Sequence, residues 1–321
     1  MKSTNKTIAF LLVITCVLIT PSAKQRTQQV VASQATSVAQ PVTLHVTVTD
    51  KAGWFVAGLQ AKDFEISVDK KLAQIVSAEH ADSPFDIGIV VDLSGSMVGG
   101  SESKAAKALG VLRESLRQFV EAGNPSNQYF LIGFNRKPLL LSDWTSEPVT
   151  LAERFSGLKV YGQTAMYDAC VLAIKKLQEG GNAKRALILV SDGQDNSSQY
   201  TFNQLRDSLR ETNVLLYAID LPTKYEASSN GVEGRDILDD LSATSGGRAY
   251  LTKEGDSRRD KDLGLSLEAI AKELRSQYTI SIVASDSKAS KKFYKIKVKV
   301  NSPAGPMKDL KARTREGFYA S

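Results

Sequence analysis

Cysteine is nearly absent from this chain of 321 residues, which contains only Cys16 and Cys170. Cys16 falls inside an N-terminal apolar run, so the body of the protein keeps one thiol and cannot form an internal disulfide. Cys170 sits in Met166-Tyr167-Asp168-Ala169-Cys170-Val171-Leu172, which reads as an apolar helix, so a small core residue is expected there rather than a nucleophile. Histidine is as scarce: His45 and His80 are the only two, too few and too isolated for a zinc site. Long apolar runs are missing too. The longest, Thr7 to Thr20, has 14 residues, short of the roughly 20 that a spanning helix needs. There is no block of one charge: 41 basic residues face 35 acidic ones, for a net charge of +6. The densest basic stretch, Lys288 to Lys299, alternates with apolar residues as a solvated strand face does, so no nucleic-acid surface is expected.

The N-terminus reads as a secretory signal. Lys2 and Lys6 precede the apolar run, and Pro21-Ser22-Ala23 offers small residues for cleavage. Residues 1–23 are thus expected to be removed, leaving a secreted or periplasmic protein with no transmembrane segment. Thr15 before Cys16 is a poor match to a lipoprotein signal. Residues 24–40 are rich in Ser, Thr, Gln and Ala and read as a flexible linker.

Three kinds of segment follow. Residues 41–82 carry short strands, beginning with Thr43 to Thr49, whose polar and apolar residues alternate. His45 falls on the polar side, so it is expected to be exposed. Residues 83–277 switch to buried strands alternating with helices, the pattern of a doubly wound, mostly parallel sheet covered on both faces. Residues 278–321 return to short strands. Neither terminal group has enough strands to stand alone, so the two are expected to pair into one small sandwich with the α/β domain inserted between them.

What the chain does have is oxygen donors at strand tips. Asp92, Ser94 and Ser96 follow the apolar run Ile87 to Val91; Ser191-Asp192-Gly193 follows Ala186 to Val190; Thr164 opens a helix after Gly162. In open α/β sheets ligands bind at the carboxyl ends of the strands. Two carboxylates and three hydroxyls, Asp92, Ser94, Ser96, Thr164 and Asp192, suit Mg²⁺ or Mn²⁺, and Ca²⁺ less well because it takes more ligands. Neutral hydroxyls leave the cation much of its charge and open positions, and a carboxylate of a partner protein is the natural ligand to fill one. Each element also has a plainer reading: Asp92 and the serines as helix caps, Thr164 as an N-cap, Ser191-Asp192-Gly193 as a turn. Asp195 reads as the cap of the next helix or as an acid behind the ligands.

An enzyme is the competing class. The second acid of an Asp-x-Asp phosphotransferase is replaced by Ser94, and there is no phosphate-binding Gly-Lys-Ser/Thr loop and no Gly-x-Ser-x-Gly elbow. No histidine stands near the strand tips to act as a base. A non-enzymatic binding module is expected. A metal site that only stabilises the fold and a metal-dependent hydrolase are the alternatives.

Asp92-x-Ser94-x-Ser96 with Thr164 and Ser191-Asp192-Gly193 resembles the metal-ion-dependent adhesion site of von Willebrand factor type A domains, in order and spacing. The resemblance implies that fold from about Phe85 to Gln277. It also implies direct metal ligation by Ser94, Ser96 and Thr164, with Asp92 and Asp192 bound directly or through water. The flanks, Val56-Ala57-Gly58-Leu59-Gln60-Ala61-Lys62-Asp63-Phe64 and Arg315-Glu316-Gly317-Phe318-Tyr319, resemble segments of a bacterial secreted group of these proteins.

Overall fold

The computed structural model describes residues 41–95, 102–220, 229–251, 259–284, 292–301 and 309–319. The signal, the linker, Cys16 and Ser96 lie outside these residues.

Runs of Ile, Val and Leu long enough to be buried on both faces form the central sheet. Strands β5 (Phe85–Asp92), β6 (Gln128–Phe134), β8 (Lys184–Ser191), β9 (Val214–Asp220) and β10 (Ala249–Tyr250) are parallel, and β7 (Pro138–Thr145) closes one edge antiparallel to β6. The order is β10-β9-β8-β5-β6-β7. Alternate residues of each strand serve opposite layers. Ile87, Ile89 and Val91 of β5 and Ile188 of β8 pack under α1 (Glu102–Ala122), α2 (Pro148–Glu153) and α6 (Arg259–Arg275). Val90, Leu187 and Leu189 pack under α3 (Met166–Gln178), α4 (Phe202–Glu211) and α5 (Ser229–Ser245). The fold is therefore a doubly wound α/β sheet. Its strand order departs from β5 in opposite directions toward β6 and β8, which makes the crevice between the tips of β5 and β8 the switch point where ligands bind in such sheets. Helix α2 was not expected from the sequence, since six residues show too little periodicity to read. Among the described residues no helix is long and apolar enough to cross a membrane.

The terminal strands make two further sheets. One runs β13 (Lys311–Arg313), β1 (Val42–Thr49), β11 (Tyr278–Val283), β4 (Gln74–His80), and the other β14 (Gly317–Tyr319), β12 (Phe293–Val300), β2 (Phe64–Val68), β3 (Lys71–Leu72). Each mixes strands from both ends of the chain. Leu44, Val46, Val48, Ile280 and Ile282 of the first face Phe64, Ile66, Val68, Tyr294 and Phe318 of the second across one core.

The flanking segments have structural roles. In the first, the Leu59 N–H donates to the Tyr278 hydroxyl (3.1 Å), which donates to the Val56 carbonyl (2.9 Å). Asp63 accepts the Gln60 N–H (2.7 Å), and Phe64 meets Tyr278 edge-on at 5.3 Å. In the second, Phe318 stacks on Tyr294, while Glu316 accepts a hydrogen bond from Arg210 of α4 (2.8 Å).

One expectation fails. His45 is buried, not exposed. Its strand does alternate, but the polar face of β1 lies against the α/β domain, with the His45 ring 6.5 Å from that of Phe85 at the start of β5. The same face carries Thr47, whose hydroxyl donates to Glu273 of α6 (3.0 Å). Glu273 also accepts from Tyr217 of β9 (2.6 Å) and pairs with Arg313 of β13. Gln277 donates to Tyr217 (3.1 Å) and Thr47 (3.3 Å). Polar residues on β1 thus mark a second buried interface rather than a wet one.

Candidate metal centre

From Ile87 onward strand β5 is apolar until its last residue, and the Asp92 side chain sits at the carboxyl rim but remains buried. Its Oδ1 accepts the Ser94 N–H (2.7 Å) and its Oδ2 accepts the Ser191 hydroxyl (3.0 Å). Burial pushes the Asp92 carboxyl up to about 7, and the charge of Asp192 adds to the rise against the hydrogen bonds from Ser94 and Ser191.

The second segment is laced to the first through its backbone. The Tyr161 N–H donates to the Leu93 carbonyl (2.9 Å) and the Gly95 N–H to the Gly162 carbonyl (3.2 Å). Gly162 has φ +87°, a left-handed turn that carries the chain from this short ladder into Thr164. The Ala165 N–H then reaches the Asn135 carbonyl (2.7 Å) in the β6–β7 turn.

The third segment closes on the second. Asn196 Oδ1 accepts the Thr164 N–H (2.9 Å), and the Thr164 carbonyl accepts from Asn196 N (3.0 Å) and Ser197 N (3.1 Å). Asp192 folds its own turn by accepting the Gln194 N–H (3.0 Å). Gly193 has φ +79°, and a Cβ on it would lie 2.1 Å from the Gly234 carbonyl oxygen, so α5 seats directly on this turn.

The structure therefore brings together the loops bearing Asp92, Ser94, Thr164 and Asp192, with all four residues buried at one rim. Ser96 lies outside the described residues. The plainer reading of Thr164 weakens, because α3 is capped by other side chains. Asp195 Oδ2 accepts the Tyr167 N–H (2.9 Å) and Ser198 Oγ accepts the Asp168 N–H (3.0 Å). Asp195 thus caps the helix before it, not the next one, whose cap is Thr201 in a capping box with Gln204. The sequence reading missed Asn196 as the clamp on Thr164 and Ser191 as a donor to Asp92. The local signal for this loop is the Asp195-x-x-Ser198 spacing, in which Asp195 accepts both the backbone N–H (3.1 Å) and the hydroxyl (2.6 Å) of Ser198.

The donor set fits a hard cation. It consists of oxygens, and burial, with the charge of Asp192 added, raises the Asp92 carboxyl, a penalty that a bound divalent cation would offset. The neighbouring acid Asp220, register partner of Ser191, is instead held by Arg235 at 3.0 Å. Among the described residues no group of three or more His, Cys, Asp or Glu is placed to hold a metal ion. Both histidines belong to the sandwich, on β1 and β4, remote in the fold from this rim. Cys170 is fully buried and burial pushes its thiol upward, as for a core residue.

Residues 87–194, spanning β5 to the Asp192 turn, match the family model for the von Willebrand factor type A domain. That stretch reads as a von Willebrand factor type A domain. No curated protein matches the chain. Among solved structures, the von Willebrand factor type A fold found here is similar to the vWF domain of the type V pili tip protein Mfa5 from Porphyromonas gingivalis. That likeness is 13% identical with a TM-score of 0.46 and covers 59% of this chain and 94% of that one. The conserved hypothetical protein BatB from Bacteroides thetaiotaomicron is 14% identical, with a TM-score of 0.42 over 59% and 99% of the two chains. Proximal thread matrix protein 1 from the mussel byssus is 17% identical, with a TM-score of 0.49 over 63% and 49%.

Proposed function

We propose that this protein is a secreted, non-enzymatic binding module that holds a protein partner through a divalent cation, Mg²⁺ or Mn²⁺, at the β5–β8 crevice. The observation that carries the reading is the convergence of three hydrogen-bonded loops on a buried pair of acids, Asp92 and Asp192. Asp92, Ser94, Thr164 and Asp192, with Ser96 by its spacing in sequence, would hold the ion. When bound, the ion supplies a positive centre with positions left for an anionic ligand. The chain's own residues prepare that centre. Ser191 and the Ser94 N–H fix both oxygens of Asp92, Asn196 fixes the Thr164 backbone, and Gly162 lets the second loop approach the first. The acid of a partner protein completes the coordination. A secretory N-terminus and flanks like those of secreted bacterial relatives support a role outside the cytoplasm.

The test is calorimetric titration with Mg²⁺ of the wild type and Asp92→Ala, followed by pull-down of extracellular proteins with and without chelator. The wild type is expected to bind Mg²⁺ and retain a partner that chelator releases. Asp92→Ala should lose both while keeping its circular dichroism spectrum. A partner retained fully in chelator would count against cation bridging. Mg²⁺ binding with no chelator-sensitive partner would favour a purely stabilising ion.

A further inference from the structure

The rim beside the candidate metal centre is electrically lopsided. On the β6–β7 side, Phe134 is the register partner of Asp92, and its carbonyl accepts the Leu93 N–H (2.7 Å). The next residues, Asn135 to Lys137, form the turn whose Asn135 carbonyl accepts the Ala165 N–H, one residue after Thr164. Arg136 and Lys137 therefore follow directly on two backbone anchors beside the site, and both are exposed. Lys159, also exposed, lies two residues before Tyr161, whose N–H bonds the Leu93 carbonyl. Tyr161 itself is 62% exposed on the same loop. No Asp or Glu occurs from Phe134 to Ser142 or from Arg154 to Tyr167. Elsewhere on this domain several basic residues are paired with acids: Arg117 with Glu114 and Glu121, Lys176 with Asp143, Lys272 with Glu268. On the opposite flank, α5 presents the exposed acid Glu233 next to Gly234, which touches the Asp192 turn.

We infer that the Arg136-Lys137 turn, with Lys159 and Tyr161, is a selectivity surface for an acidic segment of the partner. That segment places one carboxylate at the cation and further acids over the β6–β7 side of the rim. This rests on the cation-dependent reading above and adds partner chemistry to it. The cation requires only one carboxylate. The basic turn rewards additional ones on one side, and Glu233 disfavours them on the other, so the segment has a preferred orientation. Tyr161 offers an apolar ring with a polar tip between the two binding elements. Attraction between exposed charges is modest and screened by salt, so the effect lies in discrimination among partners more than in gross affinity.

The experiment compares two probes by calorimetry at low salt with Mg²⁺. One is a capped oligo-aspartate peptide, and the other is a glycine peptide of equal length with a single aspartate. The full chain should bind the first about tenfold more tightly, as expected for a few exposed charge pairs. Arg136→Glu/Lys137→Glu, checked for fold by circular dichroism, should remove that preference while binding of the single-aspartate peptide changes by no more than about twofold. Raising salt toward about 0.5 M should shrink the preference in the wild type. Equal affinities for the two peptides, or a preference that survives the double reversal, would overturn the selectivity surface and leave cation binding standing. Failure of both peptides to bind with Mg²⁺ present would overturn the cation-bridged reading and this one together.

Discussion

The α/β domain and the sandwich solve the same burial problem with opposite sequence habits. Strand β5 is buried at every position and admits polar side chains only near its ends, Asp86 at the start and Asp92 at the tip where the candidate ligands sit. Strand β2 alternates buried and half-buried residues, as befits one face on a core and one toward solvent. The first region is continuous in sequence from β5 to α6, whereas the second is closed by partners from opposite ends of the chain, such as Val42 with Ile282. Where the two meet, β1 departs from the sandwich habit and buries both faces. The difference teaches that a polar stripe on a strand reports the chemistry of what covers it, and that exposure is only one possible cover.

The strongest way to break this comparison is at the junction. Glu273→Met leaves the Arg313 guanidinium without its partner, and an uncompensated charge of this kind costs about 3–5 kcal/mol. Adding Arg313→Leu should recover part of the loss. Urea unfolding of Trp54→Phe and Trp144→Phe variants would follow the two regions separately, since Trp144 packs on Phe130 of the central sheet while Trp54 tops a sandwich loop. The two signals should coincide in the wild type and part in Glu273→Met.

Acid probes the same seam more gently. The His45 imidazole is held down to about 3 by burial, with Lys184 and Arg315 adding repulsion. The folded state resists the proton that the unfolded chain accepts near 6.5, so this contribution is intact above 6.5 and is lost as pH falls from 6.5 toward 3. At pH 5 the loss is about 2 kcal/mol. Thermal denaturation of His45→Phe at pH 7.5 and pH 5 should show this component of the acid sensitivity removed.

Two smaller changes test the α/β side alone. Ser191→Ala removes the hydroxyl that donates to Asp92, and loss of such a support is expected to weaken Mg²⁺ binding about 10–100-fold by calorimetry, with the sandwich unaffected. Arg117→Ala dissolves an exposed trio with Glu114 and Glu121 on α1 and should change stability by less than about 1 kcal/mol in the same urea titration.

The sequence made the central sheet legible because its strands are continuous apolar runs, and it made the rim legible because the oxygen donors interrupt those runs at their ends. What it hid were interactions between distant segments. His45 and Thr47 occupy polar strand positions, and nothing local says that Phe85 and Glu273 will cover them. Asp195 looks like the cap of the helix that follows it, yet its carboxylate reaches back 28 residues to Tyr167. Helix α2 and strand β14, six and three residues long, are too short to carry a period.

The antiparallel pairing of β1 with β11 also governs how the molecule bears tension. The polypeptide enters this sheet at Val42, opposite Ile282, and leaves it toward the α/β domain at His80 and Tyr278, which face each other at the other end. A pull between residue 42 and the Asp92 rim therefore runs along the strands. It loads the bonds from Val42↔Ile282 to Val46↔Tyr278 in parallel, as shear, instead of opening them one by one as a zipper.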